Sequence, residues 1–86
     1  MKRFDIQGKV LNSTMLPISD AIVSIVQSTQ DIPDIAAFTD EHGEFAYFDL
    51  LPGTYMFRAE NEWVSQTRTV KITNTNIYLE IILDGN

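Results

Sequence analysis

Apolar residues recur at every second position along most of the chain, the period of strands that bury one face. In FDIQGKV this places Phe4, Ile6 and Val10 on one face. In AIVSIVQ it places Ala21, Val23 and Ile25 on one face and Ile22, Ser24 and Val26 on the other. EFAYFDL alternates Phe45 with Tyr47, and TYMFRAE alternates Tyr55, Phe57 and Ala59. TRTVKIT offers Val70 and Ile72, and IYLEIIL offers Ile77, Leu79, Ile81 and Leu83. The short run IAAFT brings the expected strands to seven. No long stretch carries a helical period.

Turn-forming residues separate these runs: Pro17 in LPIS, Pro33 in DIPD, Gly43 in DEHGE, Pro52 and Gly53 in LPGT, and the polar stretch Thr73 to Asn76. In DEHG, Asp40 can accept backbone hydrogen bonds at the first turn position, and Gly43 can take a positive φ at little cost. Hairpins are expected at Gly43 and at Pro52-Gly53, with EFAYFDL held between two reversals. Phe45, Tyr47, Leu50, Tyr55 and Phe57 then meet across a core, so the aromatic cluster reads as packing rather than as a cofactor site. The expected fold is all-β: a seven-stranded antiparallel Greek-key β-sandwich forming a single domain over residues 1–86.

Composition narrows the function. A chain of 86 residues buries only about 60–65% of its unfolded surface, which leaves little core to spare for a deep active site. Hydrophobic residues make up 44% of the chain, enough for a packed domain, and the absence of cysteine excludes disulfides, thiolate chemistry and cysteine-type zinc sites. The net charge is −6. Between Lys9 and Arg58 there is no Lys or Arg, while Asp20, Asp31, Asp34, Asp40, Glu41, Glu44 and Asp49 fall in that gap. Such a surface repels nucleic acid and anionic lipid. The opening MKRFDIQGKVLNSTM has no continuous apolar run, and nothing approaches the length of a membrane-spanning segment. The expectation is a cytoplasmic protein or an excised module of a larger one, with no membrane insertion.

IQGKVLN followed by LPISDAIVSI and TDEHGEFAYFDLLPGTYMFRAE resembles the carboxypeptidase regulatory-like domain. The likeness runs from Ile6 to Leu83 and is carried by Gly8, Val10, Pro17, Ala21 and Val23, then by Thr39, Asp40, Gly43 and Phe45, and finally by Leu50, Pro52, Gly53 and Tyr55. It implies a transthyretin-like (prealbumin-like) sandwich. It also implies a non-catalytic stabilising, spacing or docking module, or an adaptor that recruits cargo to a bacterial secretion system.

A hydroxyisourate hydrolase exists on a similar fold and relies on several histidines, an arginine and a C-terminal tetrapeptide. Here the sole histidine is His42, in a turn, and the chain ends LDGN. Ser13, Ser19, Ser24, Ser28 and Ser65 lie in no nucleophile elbow, and the four glycines form no phosphate loop. Neither catalysis nor a cofactor is expected. If every connection reverses direction, Asp20, the Asp40-Glu41-Glu44 group and Glu60-Glu62 gather at one end, where calcium is conceivable, although the spacing of a dedicated calcium loop is missing.

The outward apolar positions point further. With Ala21, Val23 and Ile25 facing the core, Ile22 and Val26 face out, as do Tyr78 and Ile82 in the last strand. Trp63 lies in the connection ENEWVSQ. Ile22, Val26, Trp63, Tyr78 and Ile82 form the expected partner surface, unless a long loop covers the first two and Trp63 caps the core. The leading expectation is a protein-interaction or scaffold module whose partner is another protein or an adjoining domain. The alternatives are a carbohydrate-binding module using Trp63 and loop carboxylates, and a calcium-stabilised spacer. Edge strands could also accept a partner strand.

Overall fold

A computed structural model of the chain describes residues 2–32, 36–62 and 64–84. Its strands are β1 (Phe4–Asn12), β2 (Ile22–Ser28), β3 (Ala36–Phe38), β4 (Glu44–Leu50), β5 (Gly53–Asn61), β6 (Val64–Ile72) and β7 (Ile77–Leu83). They form a three-stranded sheet in the order β4-β1-β7 and a four-stranded sheet in the order β3-β2-β5-β6. The expected all-β, seven-stranded sandwich is what the chain forms.

The two-residue period accounts for the core between the sheets. Ile6 and Val10 of β1, Val23 of β2, Tyr55, Phe57 and Ala59 of β5, and Leu79, Ile81 and Leu83 of β7 are buried in one cluster. Each large apolar side chain buried in this way contributes about 1.5–3 kcal/mol. The expected aromatic packing is present. Tyr47 lies 5.5 Å and Tyr55 6.5 Å from Phe57, ring centre to ring centre. The hydroxyls are also satisfied. Tyr47 donates to the Val23 carbonyl at 2.8 Å, tying one sheet to the other, and Tyr55 donates to the Leu51 carbonyl at 2.6 Å.

Two expectations about connection need correction. β4 pairs with β1, whereas β3 and β5 both belong to the other sheet. The reversals at Gly43 and at Pro52-Gly53 are therefore crossings between sheets, not hairpins. A turn signal fixes where the chain reverses, not which strand the next one pairs with. Every strand pair is antiparallel except β1 with β7, which run parallel from Ile6↔Ile77 to Asn12↔Leu83. The first and last strands sit side by side at the centre and edge of the smaller sheet, a non-local pairing that no short-range pattern encodes.

The crossing at residues 40–43 is well fastened. Asp40 Oδ1 accepts the backbone N–H of His42 at 2.8 Å and of Glu44 at 2.9 Å. Gly43 has φ +74°, and a Cβ there would lie 2.7 Å from the Val10 carbonyl oxygen. Just before it, Thr39 is 2% exposed. Its hydroxyl accepts from the Ala21 N–H at 2.8 Å and donates to the Ile18 carbonyl at 2.7 Å. This pair of bonds anchors the end of β3 to the segment leading into β2.

Candidate functional site

Where β3 and β4 meet, the sandwich is open. A groove of about 500 Å³ runs from this side across Gln7 and Gly8 of β1 to Tyr78 of β7, and Phe38, Phe48 and Tyr78 line it with aromatic rings. Gly8, Ala37 and Ala46 add small residues to its lining, and Asp40 and Glu44 add carboxylates. The three rings are largely solvated: Phe38 is 65%, Phe48 62% and Tyr78 61% exposed. Single exposed apolar residues are ordinary, but three aromatics lining one groove mark a surface built for contact.

Phe48 faces out by the ordinary alternation of β4, and a bulge follows it that returns Leu50 to the core. One residue separates Phe4 from Ile6 on β1, while two separate their partners Leu50 and Tyr47 on β4. The extra residue lies by Asp49, which has φ +61°. Asp49 is held by its N–H on Asp5 Oδ1 at 3.2 Å and by Arg3 Nη1 donating to its carbonyl at 3.2 Å. Phe48 and Asp49 both face out, and Leu50 returns to the core. Bulges at sheet edges commonly re-aim side chains in this way.

The charged groups of the groove are negative, and Gln7 adds a neutral amide. Asp40 is held below its ordinary 3.8 by the backbone N–H groups of Glu44 and His42, so it stays ionised. The Tyr78 hydroxyl is pushed above its ordinary 10.0, first by partial desolvation and then by the charge of Glu80, to whose Oε2 it donates at 3.3 Å, with Glu44 adding to the effect. Lys9 of β1 stands in register between Glu44 and Glu80. Among the described residues, no Lys or Arg lines the groove itself.

The sequence-derived surface residues fall on different parts of the molecule. Ile22 and Val26 are exposed on β2 of the four-stranded sheet, and Tyr78 is exposed on β7 of the three-stranded sheet. Ile22 pairs in register with Phe38, which also lines the groove, so an apolar track runs from Ile22 over the β3 edge. Ile82 is only half-buried and stands opposite Leu11, at the far end of β7 from Tyr78. Trp63 lies outside the described residues. Sequence reasoning misses Phe38 and Phe48, although Phe48 has the opposite parity from Phe45 and Tyr47, a signal that it faces away from the core.

The catalytic and metal candidates do not converge. His42 is 70% exposed at the side chain, with Glu41 Oε1 3.8 Å from its Nε2. No buried group orients it. The carboxylates near Asp20, Asp40 and Glu60 do share one end, since Ile22 pairs with both Phe38 and Glu60, but among the described residues no group of three or more Asp, Glu or His is placed to hold a metal ion.

No family model matches the chain, and no curated protein matches it in sequence. Solved structures do. The major pilin subunit BcpA of Bacillus cereus superposes with a TM-score of 0.81 at 14% identity, covering 99% of this chain and 31% of that one. A DUF3823 family protein from Parabacteroides merdae gives 0.73 at 15% identity, covering 94% of this chain and 45% of that one. Chlorocatechol 1,2-dioxygenase from Pseudomonas putida also gives 0.73, at 12% identity, covering 98% of this chain and 61% of that one. The chain thus spans less than two thirds of each. At these identities the likeness shows a shared β-sandwich, and the fold is one that both a pilin subunit and an enzyme contain.

Proposed function

We propose that this domain is a non-catalytic interaction or scaffold module of the carboxypeptidase regulatory-like type, docking another protein or an adjoining domain of a larger one. The observation that carries the reading is the convergence of Phe38, Phe48 and Tyr78 on one open groove, beside a core whose buried polar side-chain atoms, among the described residues, all have hydrogen-bond partners. Ile22, in register with Phe38, extends the docking track over the β3 edge. Likeness to a pilin subunit that contains this fold as under a third of its length supports a role within a larger assembly.

The test is a complex reconstituted from purified components with a partner first recovered from host extract. Phe48→Asp and Tyr78→Asp should each weaken it by about tenfold or more, the cost of removing a central aromatic anchor. Equal affinity of wild type and both variants overturns the reading. A second reading, a sugar stacked on the same rings with Asp40 and Glu44 accepting its hydroxyls, is favoured by the pairing of aromatics with carboxylates. A glycan array separates the two.

A further inference from the structure

We propose that the occupant of the groove is an extended segment of a partner protein that carries Arg or Lys next to an apolar side chain. This rests on the docking reading above and specifies the chemistry of the partner. Aromatic faces attract cations through their quadrupole, most strongly where water is partly excluded. Three exposed aromatic rings line this groove, and its charged lining groups are Asp40 and Glu44, both negative. Glu80 adds a third carboxylate at the Tyr78 hydroxyl. Lys9 stands beside the groove rather than in it, already flanked by Glu44 and Glu80. A cation entering from outside therefore meets rings together with three carboxylates that outnumber the one neighbouring lysine.

The same charges argue against a second copy of this chain as the occupant. Joining two such grooves would bring Asp40 and Glu44 of one copy against those of the other, and the chain as a whole carries −6.

An extended backbone fits the geometry. The Val10 N–H bonds the Gly43 carbonyl at 2.8 Å. By the alternation of an antiparallel ladder, this turns the Ala46 N–H and C=O away from β1, toward the open side. Ala46 lines the groove. A partner strand laid there can bond β4 through its backbone while alternate side chains reach the rings and carboxylates. The bulge at Asp49 limits the paired stretch to a few residues, so side chains must supply most of the specificity.

A random peptide library displayed on phage, selected on the whole chain and counter-selected on Phe48→Ser, tests this. Enriched peptides should carry Lys or Arg beside an apolar residue. Synthetic versions measured by fluorescence anisotropy should bind about threefold to tenfold more weakly to Glu44→Gln and to Asp40→Asn. Both substitutions keep the side-chain shape, and the amide oxygen that Asp40→Asn introduces can still accept the turn's N–H groups. Binding should also fall with added salt. Neutral peptides that need Phe48 yet ignore both substitutions and salt would overturn the cationic partner while leaving the docking groove standing. If no peptide depends on Phe48, or if a glycan array responds at the groove instead, the docking reading falls as well.

Discussion

Along the side where β6 meets β7, Arg68 points inward from its edge strand and donates from Nη1 to the Glu80 carbonyl on β7 at 2.8 Å. Ser65, Thr67, Thr69 and Lys71 keep the outward face of β6 polar. Along the opposite side, where β3 meets β4, no cation among the described residues lines the opening. Exposed rings and carboxylates stand there instead. Open sheet edges invite pairing with other chains, and inward-pointing charges on edge strands are a recurrent defence against it. One side of this sandwich carries that defence and the other does not. The three aromatic rings left uncovered along that groove are the feature on which the docking proposal rests.

Substitutions can break the contrast, and the largest effects lie beneath it. Phe45 and Phe48 share β4, yet one is buried and the other exposed. Phe45→Ala should cost about 3–5 kcal/mol in urea unfolding, since it leaves a cavity at the core end of β4. Gly8→Ala should cost about 1–3 kcal/mol, because its Cβ would collide with the Phe45 ring and lie 2.5 Å from the Leu79 carbonyl oxygen. Arg68→Ala should cost about 1 kcal/mol by thermal melt. It should also make the chain associate with rising concentration in analytical ultracentrifugation, since it strips the guarded side of its protection.

Acid acts on the turn beneath the groove. The folded value of Asp40 lies below its ordinary 3.8. Its contribution to stability is therefore complete above that ordinary value and is lost as pH falls through the folded one. Thermal melts of wild type should decline over that window by more than those of Asp40→Asn, whose turn no longer titrates. Phe48→Ser should have the smallest effect on stability, within about 0.5 kcal/mol, because its ring rests mostly in water. A large loss there would mean that Phe48 serves the fold rather than a partner.

The strand pattern is legible because β-periodicity is local. Val23, Tyr55 and Ile81 each sit at the phase their neighbours predict, and all three are buried. Outward positions follow from the same phase, so Ile22, Val26 and Tyr78 read as exposed, and they are. What stays hidden is non-local. The parallel pairing of β1 with β7 joins the two ends of the chain. The crossings at Gly43 and Pro52 look like hairpin turns because the same residues serve both. The groove itself needs a short strand whose phase IAAFT does not reveal, so nothing in the pattern assigns Phe38 a face. The bulge that returns Leu50 to the core turns Asp49 to positive φ and is equally silent in the pattern. Asp tolerates that conformation without announcing it.

The most direct measurement is an amide chemical-shift map of the isotope-labelled chain titrated with a groove-selected peptide. The account predicts that shifts concentrate on Phe38, Asp40, Glu44, Ala46, Phe48 and Tyr78 and leave Ser65 to Thr69 unmoved. Shifts centred on β6 and the free edge of β7, with the β3–β4 side silent, would contradict it.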